Sequence, residues 1–146
     1  MHTEYTAEQT LINAGMRITA VRLLIWRSIR EHFENPFTLA DLEAVLPTVD
    51  RSTLFRNLTT LAQSGVLHAV DDGSGAQKYC VCHCDDNSHH HGHVHITCTR
   101  CHRTFCLTSV MIPPVPLPKG FDVSESEYVV KGVCTECQKS TPRGTD

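Results

Sequence analysis

Asp50-Arg-Ser-Thr-Leu-Phe-Arg-Asn-Leu-Thr-Thr-Leu-Ala-Gln-Ser-Gly65-Val-Leu-His-Ala-Val70 changes period partway along, and that change decides the fold. Asp50 can cap a helix, Leu54, Leu58 and Leu61 recur at helical spacing, and Gly65 can end it. After Gly65 the pattern turns strand-like. The stretches 66–70 and 77–82 flank Asp71-Asp72-Gly73-Ser74-Gly75, a composition that predicts a β-hairpin. Upstream, residues 6–14 read as a short helix stopped by Gly15. Thr19 can cap a second helix carrying Val21, Leu24, Ile25 and Ile29. Thr38-Leu39-Ala40-Asp41 opens a third in capping-box fashion, with Leu42, Val45 and Leu46, and Pro47 ends it. Helices followed by a hairpin predict a winged helix-turn-helix over residues 1–82, with the fourth helix entering a major groove.

Many helical domains carry a hairpin without touching nucleic acid, so the residues of the fourth helix must decide. Arg51, Ser52, Thr53, Phe55, Arg56 and Asn57 crowd its first two turns. They offer a phosphate anchor, hydroxyl donors, an aromatic ring for thymine methyls and a second arginine, which favours double-stranded DNA as the partner.

The second half is built on different chemistry. Cys98/Cys101 and Cys134/Cys137 form two C-x-x-C pairs, each able to supply two sulfurs from one knuckle to a tetrahedral zinc ion. The run His89-His90-His91-Gly92-His93-Val94-His95 brings enough imidazoles for a second metal. Eight cysteines could instead be a disulfide framework. Such chains are typically short and secreted, whereas this N-terminus has no secretory pattern, so zinc and a cytoplasmic location are preferred. Residues 83–92 are polar and read as a hinge. Residues 93–97, 104–107 and 127–133 have strand character, and Gly120-Phe121-Asp122-Val123 is expected to open another strand. Four prolines between Ile112 and Pro118 exclude regular helix there. The expected organisation is α+β: a reader domain (1–82), a hinge (83–92), a metal-binding dimerisation domain (93–140) and a flexible tail (141–146).

At 146 residues, 40% apolar and 20% charged, the chain is one ordinary domain or two small ones, and small halves commonly need a metal or a partner subunit. A formal net charge of −3 excludes a generally basic nucleic-acid binder, so any DNA contact must be local. No stretch is long enough to span a membrane.

These motifs, in this order, resemble the ferric uptake regulator (Fur) superfamily over roughly residues 10–138. Arg17-Ile-Thr19-Ala-Val-Arg22 is similar to the family's R-x-T-x-x-R. Ser52-Thr53-Leu54-Phe55-Arg56-Asn57-Leu58 resembles its recognition-helix S-x-T-V-Y-R-x-L, with Phe in place of Tyr. His93-Val-His95-Ile-Thr-Cys98-Thr-Arg-Cys101 and Gly132-Val-Cys134-Thr-Glu-Cys137 resemble its H-x-H-x-x-C-x-x-C and G-x-C-x-x-C. The resemblance implies a homodimer on a palindromic operator, with structural Zn2+ on Cys98, Cys101, Cys134 and Cys137. Arg17 and Arg22 join the residues expected at DNA.

The resemblance further implies an exchangeable regulatory metal at the hinge. Where iron-type members carry histidine, this chain reads Pro36-Phe37-Thr38. Zinc-type members place an acid or histidine three residues after the glycine ending the recognition helix, and a cysteine at the end of the wing. Here those are His68 and Cys82, giving an expected regulatory set of His68, Cys82, His93 and His95. Cys106, where relatives have an acidic ligand, and His91 and Cys84 in the hinge are alternative ligands. A thiolate with three imidazoles favours a second Zn2+ over Fe2+ and points to the zinc uptake regulator branch and to repression. The alternatives are an iron- or peroxide-responsive regulator, a zinc hydrolase, and a thiol redox sensor or zinc buffer. The hydrolase lacks a placed general base and leaves the reader helix unexplained.

Overall fold

The computed structural model describes residues 5–81, 93–111, 113–123 and 126–140. The chain divides into two compact units, Met1–Asp85 and Asp86–Asp146.

In the first unit, local sequence sets the helix starts. Thr6 caps α1 (Ala7–Asn13), exchanging hydrogen bonds with Gln9 in a capping box. Thr19 caps α2 (Ala20–His32), accepting from the Arg22 amide at 3.1 Å. After the two-residue strand β1 (Phe37–Thr38), Thr38 and Asp41 close a second capping box on α3 (Leu39–Val45). Asp50 caps α4 (Arg51–Gln63), and Gly65, at φ +84°, takes the left-handed turn that ends it. Strands β2 (Leu67–Val70) and β3 (Lys78–Val81) form the hairpin, and β1 adds to it in the order β1-β3-β2, all antiparallel.

One apolar cluster holds this unit together. Leu11, Ile25, Trp26, Ile29, Phe37, Leu42, Leu54, Leu58, Leu61 and Leu67 are buried in it, Tyr79 and Val81 extend it onto the sheet, and Phe33 stacks on Phe37 at 4.4 Å. The helical stripe expected on α2 is corrected here. Ile25 and Ile29 are buried with Trp26, while Val21 and Leu24 are 42% and 46% exposed. α2 packs on α1, α3 and α4 through a face turned away from those two side chains.

The second unit is a three-stranded sheet ordered β5-β4-β6, made of β4 (His93–Cys98), β5 (Thr104–Met111) and β6 (Tyr128–Gly132). β4 and β5 are antiparallel, β4 and β6 parallel. The parallel pairing needs a long crossover, which the proline-containing segment after β5 contributes to. The short helix α5 (Thr135–Ser140) begins directly after Cys134 and carries Cys137, the second cysteine of that pair. Two expectations change: β5 runs on to Met111, with a register irregularity opposite His93/Val94, and residues 120–123 form a turn and coil rather than a strand. Gly120 takes φ +89°, and Phe121 donates its amide to the Pro118 carbonyl, so the chain reverses there.

The whole is α+β, a winged helix-turn-helix followed by a small mixed unit. Among the described residues no helix is long and apolar enough to cross a membrane.

Candidate DNA-reading helix and metal centre

The four paired cysteines converge. The sulfurs of Cys98, Cys101, Cys134 and Cys137 all lie within 4.8 Å of one another, and Cys101 Sγ is 3.8 Å from Cys134 Sγ. Sulfurs at the corners of a tetrahedron with ~2.3 Å metal–sulfur arms are separated by about 3.8 Å, so the quartet fits zinc. Secondary structure builds it. The β4–β5 connection forms the first knuckle, in which Cys98 donates to the Arg103 carbonyl and His102 donates back to Cys98. His102 takes φ +62°, the left-handed conformation the tight turn requires. Parallel pairing of Cys98 with Gly132 at the end of β6 brings the second knuckle alongside, and the Cys134 amide donates to Cys98 Sγ at 3.3 Å.

The electrostatics favour a cation. Amides of Cys134 and Cys101 hold the Cys98 thiol down at about 5. Its neighbour Cys134 and partial burial push Cys137 up to about 12. Four clustered thiols resist joint ionisation, and a divalent cation removes that conflict. The Arg103 guanidinium donates to Cys101 and Cys134, which raises its own pKa, and stacks over Phe105 at 5.4 Å. Arg103 was not among the sequence-predicted site residues. Its place two residues after the first C-x-x-C pair is the signal that could have found it.

A second set of metal-type side chains appears as cross-strand pairs, one in each unit. In the wing, His68 of β2 lies opposite Cys80 of β3. In the second unit, His95 of β4 lies opposite Cys106 of β5, with imidazole nitrogen and sulfur within 4.8 Å. His95 is 7% exposed and continues a buried polar face through Thr97 and Thr104, whose hydroxyls are 3.0 Å apart. Cys80 is buried at 1% exposure. His93 opens β4. Cys82, Cys84 and His91 lie outside the described residues.

On α4, the predicted DNA-facing residues separate into two groups. Phe55 is 55% exposed and Arg56 exposed beside it, with no share in the core. Ser52 and Thr53 donate their hydroxyls to the Asp50 carboxylate at 2.5 and 2.7 Å, holding that acid at about 2. Arg51 reaches Glu43 of α3 at 2.8 Å. Arg17 is exposed just ahead of α2, and Arg22 donates to the Arg17 carbonyl and to Asn57 of α4.

The sequence profile of the ferric uptake regulator family matches residues 13–113. Comparison with curated proteins returns no match. Among solved structures, the fold is similar to the ferric uptake regulator of Vibrio cholerae, at 16% identity and TM-score 0.63, covering 88% of this chain and all of that one. The manganese-containing regulator of Pseudomonas aeruginosa gives 15% identity and TM-score 0.64, covering 90% of this chain and 99% of that one. A zinc uptake regulator in complex with zinc and DNA gives 20% identity and TM-score 0.61, covering 91% of each chain. With its profile match spanning most of the chain, its winged helix-turn-helix and its four-sulfur cluster, this chain belongs to the ferric uptake regulator family of metal-responsive transcription regulators.

Proposed function

We propose that this protein is a zinc-sensing transcriptional repressor of the zinc uptake regulator type, cytoplasmic, acting as a homodimer on palindromic operators. The observation that carries the zinc preference is the His95–Cys106 pair, with the matching His68–Cys80 pair in the wing. Sulfur in both pairs gives a softer donor set than the nitrogen and oxygen ligands that suit ferrous iron.

In this reading Cys98, Cys101, Cys134 and Cys137 hold a structural zinc, closed to catalysis because all four positions are sulfur. His68, His93 and His95, with thiolate from Cys80, Cys82 or Cys106, hold the sensing zinc. Cys84 and His91 remain alternative donors. Ligands contributed by both units would make zinc favour one relative orientation of reader and dimer domains, with a coupling of about 1–3 kcal/mol. Phe55, Arg56 and Arg17 would face the DNA. Exposed Ile96, Tyr128 and Val130 on the second unit's sheet support pairing with a second copy.

The test is operator affinity and metal content for wild type, His95→Ala and Cys106→Ser across buffered zinc and ferrous iron. The expected result is a second zinc that tightens DNA binding in wild type alone. Tightening by ferrous iron and not zinc would make this an iron regulator and remove the ligand assignment.

A further inference from the structure

Arg22 carries the last position of the R-x-T-x-x-R stretch, where an exposed cation would be read as a phosphate contact. Its guanidinium is otherwise engaged. Nη1 donates to the Arg17 carbonyl at 2.8 Å, and Nε donates to Asn57 Oδ1 at 3.2 Å. The Asn57 amide is itself oriented, because Nδ2 donates to the Thr53 carbonyl one turn earlier at 2.9 Å. The Arg22 amide donates to Thr19 Oγ1, so the same residue closes the α2 cap. Arg22 and Asn57 are both half-buried, whereas Arg17, Phe55 and Arg56 are exposed.

We infer that Arg22 is a positioning residue: through Asn57 it fixes the Arg17 segment relative to the recognition helix α4, and it sets how sharply the domain discriminates one DNA sequence from another. The inference rests on the DNA-binding reading above. The physical case is the fork. A guanidinium presents N–H groups in fixed directions and can hold a carbonyl and an amide oxygen at once, on two different elements. The carbonyl it holds belongs to Arg17, and the amide lies on α4 two residues from Phe55 and one from Arg56. A shift of either one moves Arg17 relative to Phe55 and Arg56. Base contacts depend on that spacing far more than phosphate contacts do.

The alternative role has a separable signature. A cation that neutralises a phosphate lowers the slope of log affinity against log salt by about one when removed, and weakens all sequences alike. A lysine replaces it well. A positioning fork does neither.

The experiment uses the full-length zinc-loaded protein and a duplex selected by the wild type from a random pool, with a scrambled duplex as reference. Arg22→Lys, Arg22→Gln, Asn57→Ala and the double variant Arg22→Gln/Asn57→Ala are compared, with melting curves checking that each is folded. The expected result is that Arg22→Lys and Arg22→Gln both lower affinity for the selected duplex about tenfold or more. Affinity for the scrambled duplex and its salt slope should stay near wild type for Arg22→Lys. The double variant should be no weaker than the weaker single, because both act in one linkage. Near-wild-type discrimination in Arg22→Lys, or additive losses in the double variant, would overturn the inference. If Asn57→Ala does not fold, the Lys and Gln comparison decides alone. Failure of the wild type to select any duplex would instead remove the DNA-binding reading itself.

Discussion

Cys98 and Cys137 show how one side chain's titration depends on its neighbours. They are the same residue type in one cluster, yet backbone amides hold the first at about 5 while adjacent sulfur pushes the second up to about 12. Replacing Cys137 by serine should leave three sulfurs and an oxygen, and lower bound zinc by one equivalent per protomer under competition with a chelator. Elemental analysis after dialysis reads this directly; zinc retained at full stoichiometry would exclude the four-sulfur centre. Phe55 makes the opposite kind of statement, because 55% exposure of a large apolar ring on a helix is unexplained by packing. Phe55→Ala should leave the melting temperature unchanged and weaken DNA binding about tenfold, near the low end of the 1–3 kcal/mol of a good base contact. A fall in melting temperature without loss of affinity would assign Phe55 to stability.

At the scale of the element, α4 starts on an acid. The Asp50 carboxylate accepts from Ser52, Thr53 and the Thr53 amide, and its pKa falls from 3.8 to about 2. Its folded pKa lies below the unfolded one. Its contribution to stability is therefore complete above about pH 4 and is lost as pH falls from there through 2. Asp50→Asn should keep much of the cap and remove this part of the acid dependence, which urea titrations between pH 2 and 5 would resolve. The wing carries a different device. Lys78 Nζ and Asp72 Oδ2 are 2.5 Å apart with side chains 7% and 0% exposed, and Asp72 Oδ1 also accepts the Ser74 amide in the hairpin loop. Removing one member strands the other charge, so Asp72→Ala should cost about 3–5 kcal/mol by urea unfolding. The paired change Asp72→Leu/Lys78→Met should recover most of that loss. If the single variant is near wild type, the pair has no energetic role.

At the scale of the molecule, the two units rest on different physics. Among the described residues, the large apolar cluster lies in the first. Among the described residues of the second, only Val94 and Cys98 are buried apolar side chains. A sheet with so little burial would gain most of its stability from a metal at the four-sulfur cluster. Stripping zinc should therefore unfold the second unit and leave a single urea transition, that of the first. Circular dichroism would show the helical signal of the first unit surviving a chelator that melts the second. A single cooperative loss of both would mean that the first unit needs the metal as well.

Much of this was legible in the sequence because it is local. A helix cap involves residues three apart, so Thr6, Thr19, Thr38 and Asp50 announce their helices. A C-x-x-C pair carries its chemistry in its own spacing, so the four-sulfur cluster and the α+β division were readable too. What failed, or was silent, depended on distant neighbours. Val21 and Leu24 have the same spacing as a core stripe, and only the packing of α2 on three other helices turns them outward. Strand β1 is two residues long and exists because β3 is there to pair with it. The turn at Gly120 replaces an expected strand because the chain folds back on Pro118. Strand register is likewise a tertiary property, since one residue of slip moves a side chain to the opposite face. Local spacing alone marked the paired cysteines that the fold gathers into one cluster, and the polar, exposed start of α4. Tertiary structure decided that His68 faces Cys80, that His95 faces Cys106, and that Arg22 holds Asn57, because each pairing joins chain segments that no local interaction brings together.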